Sequence, residues 1–132
     1  MVTKIVSAFA ALATWLVLGT SVMAHHSVNA EFDSTKELVI TGVLTKVDNV
    51  NPHSWWYVDV KAADGTITHW KLESVGPGGL IRQGLKIKDD LKMGDEYTFK
   101  ISPGWKDDPS GAKLGFMKFL TVNGKQFKMT DL

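Results

Sequence analysis

From residue 37 onward, short apolar runs alternate with polar residues at a period of two and are broken by glycine, asparagine and aspartate, a pattern that predicts strands. ELVITGVLTKVDNV (37–50) is apolar on both parities at its centre, as a strand partly buried on both faces is, and Gly42 within it marks a bend or bulge. SWWYVDVK (54–61) divides more cleanly. Trp56, Val58 and Val60 share a face assigned to the core; His53, Trp55, Tyr57 and Asp59 share the other, an aromatic and polar surface open to water or a ligand. Ala63-Asp64-Gly65 is a tight-turn signal leading into TITHWKLE (66–73), so strands two and three form a hairpin.

One stretch reads as a helix. SVGPGGLIRQGL offers Pro77 for a first helical turn and Gly84 for a left-handed end, and its few apolar residues, Leu80 and Ile81, are expected to hold it by packing near 77–83. EYTFKIS (96–102) gives a fourth strand, KLGFMKFLTV (113–122) a fifth, and GKQFKMT after the Asn123-Gly124 turn a short ribbon partner. Three strands, a helix and two strands is the order of a small OB-like five-stranded barrel, with the helix closing one end. The class is therefore all-β. A small β-sandwich is the rival, but it has no need of a helix at that point. Expected core residues are Val43, Trp56, Val58, Val60, Trp70, Leu72, Phe99, Ile101, Phe116 and Phe119. The last two differ in parity, so both are buried only if a bulge intervenes or one meets the terminal ribbon.

The segment before residue 25 is of another kind. MVTKIVSAFAALATWLVLGTSVMA has a single positive charge at Lys4, an apolar run of fourteen residues from Ile5 to Leu18, and Val22-Met23-Ala24 at a cleavage position. This is the layout of a signal peptide, and the run is short of the roughly 20 residues that span a bilayer. The expected organisation is a signal peptide over 1–24, an N-terminal arm over 25–36 and the barrel over 37–132. After cleavage the product would lie in the periplasm with no membrane span. The 108 residues then left of 132 make one small domain, in which 14 basic residues balance 14 acidic ones because Lys4 is the leader's only charge. Such a balance argues against a nucleic-acid partner. With no cysteine, no disulfide staples the fold.

AHHS, EFD at 31–33, NPH at 51–53 followed by WWYVDV, and KMGDE at 92–96 together resemble a family of small exported bacterial proteins classed as a domain of unknown function. The resemblance covers essentially the whole chain after the leader and implies similar size, export and barrel shape, with no established activity. Gly78-Gly79 departs from the family's pattern, where more helix-favouring residues are usual.

Cleavage after Ala24 would make His25 the first residue, and its α-amino nitrogen and ring Nδ1 would then close a chelate ring on a metal. Imidazole nitrogens suit copper, nickel and zinc, and Cu(II) leads in affinity. The metal candidates are His25, His26 and His53, the last at the start of strand two on the polar aromatic face; His69, the fourth histidine, is expected to face solvent or rest on Trp70. The plainer readings are a solvated histidine tail and a loop histidine bonded to its own backbone. The alternative function is a module that binds a small ligand, a saccharide or a periplasmic protein on the face of Trp55, Tyr57 and Asp59. Catalysis has no motif behind it: there is no nucleophile elbow, no cysteine, no His-Glu-x-x-His helix and no phosphate loop.

Overall fold

The computed structural model describes residues 28–131. The signal peptide expected over 1–24 and the histidines at 25 and 26 lie outside them. The chain divides into two units, Met1–Ala30 and Glu31–Leu132, and the second is a barrel. Its strands are β1 (Leu38–Asp48), β2 (His53–Lys61), β3 (Ile67–Val75), β4 (Glu96–Pro103), β5 (Lys113–Val122) and β6 (Lys125–Lys128). Between β3 and β4 stand α1 (Pro77–Arg82) and a single turn, α2 (Ile87–Asp90). The hydrogen-bonded order is β3-β2-β1-β4-β5-β6, and a parallel pairing of β3 with β5 closes the first five strands into a mixed barrel. The expected OB-like arrangement, with its helix after the third strand, is therefore present.

Turn chemistry sets the registers. The β2–β3 hairpin closes through three residues, with Gly65 at φ 88 in the left-handed position that such loops require and Ala62 N–H donating to Thr66 O at 2.8 Å. Asn123 and Gly124, at φ 49 and 78, make the two-residue turn of the β5–β6 ribbon.

Two bulges decide which residues are inside. In β1 the pairing slips between Leu44 and Lys46, so that Thr45 is the extra residue and its hydroxyl donates to Tyr57 O at 3.1 Å. Before the bulge the even positions face inward, so Leu44 is fully buried and Val43, expected inside, lies outside the core; after it the parity changes and Val47 packs on the core. In β5 the slip falls at Lys118, whose carbonyl accepts from Met129 N–H at 2.9 Å. Met117 precedes the bulge and Leu120 and Val122 follow it, all buried, and this change of parity turns Phe119 outward beneath the Lys100 ammonium, 5.7 Å from its ring centre. Phe119 was expected in the core. Phe116 is buried by a different route. It faces away from Gly115 and Met117, and Phe32 covers it with ring centroids 5.5 Å apart. Residues 31–33 are held there by Asp33 N–H to Pro103 O (2.8 Å) and Trp105 N–H to Glu31 O (2.9 Å).

Trp56, Val58, Leu72, Phe99 and Ile101 fill the barrel as expected, and Val60 and Trp70 pack against them partly buried. The Trp56 indole N–H donates to Ser74 Oγ at 2.8 Å, which satisfies its polar edge. In α1 the buried residues are Gly79 and Leu80. Ile81, expected to pack, is 67% exposed, because one residue further along is about 100° around a helix too short to bury two sides. Gly79 is there for space: a Cβ would lie 2.7 Å from the Val75 side chain, so β3 and α1 approach this closely only over glycine.

Candidate functional site

The outward face of β2 and β3 gathers most of the described polar chemistry. Its register brings Trp55 opposite Glu73, Tyr57 opposite Lys71 and Asp59 opposite His69. At the Asp59 end, His69 Nδ1 lies 2.6 Å from Asp59 Oδ1. An ionised carboxylate only accepts, so the ring proton is on Nδ1 and Nε2 has no partner among the described residues. At the other end, His53 Nδ1 donates in the same way to Glu73 Oε1. The Glu73 side chain is only 7% exposed; burial pushes its carboxyl above the usual range, the nearby Glu31 charge pushes the same way, and His53 pulls it back. His53 is half exposed, and its Nε2 is also unpartnered among the described residues.

Between these ends lies a lattice of paired charges. Lys71 Nζ sits 4.8 Å from the Trp55 ring centre and 3.0 Å from Asp108 Oδ1, on the β4–β5 loop. Tyr57 donates its hydroxyl to Asp48 Oδ2 at 3.1 Å, and Lys46 lies over the Tyr57 ring and bonds Asp48. Asp108 also accepts from Ser110 N–H at 3.0 Å and from its hydroxyl. These Ser110 bonds and then Lys71 hold the Asp108 carboxyl down at about 2, from an ordinary 3.8.

A carboxyl depressed by folding stabilises the fold fully above its ordinary value, and that contribution disappears as pH falls from 3.8 toward 2. Asp108→Asn should therefore lower the urea midpoint at neutral pH and narrow its gap from the parent in that acid window. A gap of constant size down to pH 2 would show that Asp108 gains nothing from its partners.

The structure brings Tyr57 and Asp59 together with His69 and separates them from His53. Five residues of strand lie between His53 and Asp59, a separation of roughly 20 Å. Trp55 lies between, with Lys71 over its ring. Each end has a cleft. The one beside His53, about 320 Å³, is walled by Pro52, Gly76, Gly79 and Arg82. The one at Asp59, about 290 Å³, is formed by Thr45, Tyr57, Asp59, His69 and Trp70 under loop residues 110–112. A third groove, about 320 Å³ along α1 and α2, is lined chiefly by aliphatic Leu80, Ile81, Leu85 and Ile87 and has no such pair. Among the described residues no three His, Cys, Asp or Glu side chains gather closely enough to hold a metal. Nor is any helix among them long and apolar enough to cross a membrane.

Reading one strand at a time misses Glu73, Lys71 and the partnership of His69. The signal was in the turn. Folding the sequence about Asp64 puts 59 opposite 69 and 55 opposite 73, and alternation then places all four on one face. Asp108 left no such trace, since it arrives from a distant loop.

A comparison with curated proteins finds no match. A family model matches residues 14–114, a span that holds β1 to β4, both imidazole–carboxylate pairs and the loop that carries Asp108. The chain belongs to that family, a family of unknown function designated DUF6152.

Proposed function

We propose that the protein is exported to the periplasm, is cut between Ala24 and His25, and binds a copper ion through the new N-terminus and His53. The observation that carries the metal reading is the His53–Glu73 pair. A carboxylate on the far nitrogen of an imidazole fixes its tautomer and orientation, which is how ligating histidines are commonly held. Nε2 of His53 is the nitrogen left over. The Glu31 charge acts on Glu73, so the segment that follows the histidines begins at this end of the face. Five residues lie between His25 and Glu31, and because 28–31 form a helical turn the histidine stands at most about 15 Å along the chain from Glu31. The amine and imidazole of His25 with His53 Nε2, and His26 as a further donor, form a nitrogen set suited to Cu(II). The charged n-region, the apolar run and the Val-Met-Ala cut support export.

Two measurements test this. The mass of the secreted form should begin at His25; a product that retains residues 1–24 removes the chelating amine. Titration of Cu(II) into the processed chain should show one saturable site, weakened about tenfold or more by His53→Ala or by an extra N-terminal glycine, and unchanged by His69→Ala. Because His53→Ala also strips a buried carboxylate of its partner, Glu73→Gln with His53→Ala serves as the second variant. Unaltered binding in both removes His53 from the site, and equal loss in the His69 variant marks nonspecific binding to histidines.

A further inference from the structure

We propose that the cleft where the β4–β5 loop meets the outer face of β2 and β3 binds a small neutral saccharide. It lies at the end of the face away from His53, so it does not depend on copper binding. Its volume, about 290 Å³, is at the lower limit of ligand pockets, which run from about 300 to 1,000 Å³ and suits an occupant of one or two rings.

The chemistry of its walls narrows the class. Asp59 Oδ1 takes the His69 ring proton, which leaves Asp59 Oδ2 as one acceptor and His69 Nε2, on the far side of the imidazole, as another, neither with a partner among the described residues. Beside them are the half-buried ring of Tyr57 and the hydroxyl of Thr45, with Trp70, whose ring packs on the core, also contributing to the wall. A sugar ring presents several hydroxyls around its edge and a flat patch of C–H groups on its face, so two separated acceptors beside an aromatic ring are complementary to both.

Charge and backbone exclude the rivals. No lysine or arginine is among the described residues that line the cleft, and the nearby Lys46 and Lys71 are paired with Asp48 and Asp108, so a phosphate or carboxylate finds no unmatched cation among them. An extended peptide would need a free strand edge. Here β2 is paired with β1 and β3 as far as Asp59, and β3 with β5 over Trp70–Glu73, which leaves beside the cleft only the short edge Ile67–His69. The overhanging wall is already fixed: Lys71 ties Asp108 to the sheet, and Asp108 N–H donates to Ala112 O at 2.8 Å. A ligand therefore has little loop left to order, which lowers the cost of binding.

The test is an amide-resolved NMR titration of the chelator-treated protein with millimolar glucose, N-acetylglucosamine, maltose, cellobiose and chitobiose in turn. At least one should give saturable shifts centred on Thr45, Tyr57, Asp59, His69 and Gly111. Asp59→Ala should weaken that response about tenfold, since it removes a charged acceptor. His69→Gln, which changes only a solvent-facing side chain, should weaken it as well and serves if the first variant does not fold. Trp105→Ala, an exposed indole outside the cleft, should leave it intact. No saturable response to any of the five sugars overturns the proposal. So does a response that survives both cleft variants, or one that the Trp105 change removes equally.

Discussion

Val58→Asp should leave no folded barrel. Val58 has no exposed surface, stands at the centre of β2 between Leu44 and Trp70, and points into the cluster formed by Trp56, Leu72 and Phe99. A carboxylate there has no partner. The idealised cost of moving such a charge from water into an apolar interior is about 20 kcal/mol, and several remain after relaxation. Whole domains are stable by about 5–15 kcal/mol, and this one has no cysteine to form a disulfide reserve. Far-ultraviolet circular dichroism of the variant should show no cooperative melt. A variant that melts like the parent would reverse the two faces of β2 and, with them, the placement of Tyr57 and Asp59.

Phe32→Ala should destabilise the barrel by about 3–5 kcal/mol, the usual cost of truncating a buried phenylalanine. Phe32 is 1% exposed and is the cover of Phe116, so its loss opens a cavity and uncovers a second ring. Its ring adds side-chain packing to a segment that backbone bonds from Asp33 and to Glu31 already hold at the strand end by Pro103. Urea unfolding reads this directly. A midpoint within about 0.5 kcal/mol of the parent would make residues 31–33 a tether lying on the surface.

What the sequence disclosed follows from how far each signal reaches. Asp64-Gly65 and Asn123-Gly124 write their turns locally, and period-two alternation runs on from them, so strand limits and the two faces of β2 were legible. A bulge is a single extra residue with no composition of its own. Thr45 and Lys118 look like ordinary strand residues, yet each reverses the parity beyond it, which is why Val47 joins Leu44 at the core and Phe119 ended outside. The candidate site divides similarly. His53, Trp55, Tyr57 and Asp59 were visible as a face, and the hairpin register held the identity of their β3 neighbours. The Lys71–Asp108 bond spans 37 residues and depends on barrel closure, so no local pattern announces it.

The same closure governs how the molecule assembles. β1, β2 and β3 follow one another as one meander and β5 and β6 as a ribbon, each needing only short loops, but the seams that join the two halves, β1 to β4 and β3 to β5, connect parts of the chain distant in sequence. Their loop-closure entropy is lost before their contacts are gained, which puts folding in the slow range of small β-proteins, about milliseconds to seconds. Until the seam forms, β3 and β5 each expose an unpaired edge that another unfinished copy can occupy. The hazard for this barrel is therefore concentrated in the interval before closure, and the order in which its halves meet determines its yield of soluble product.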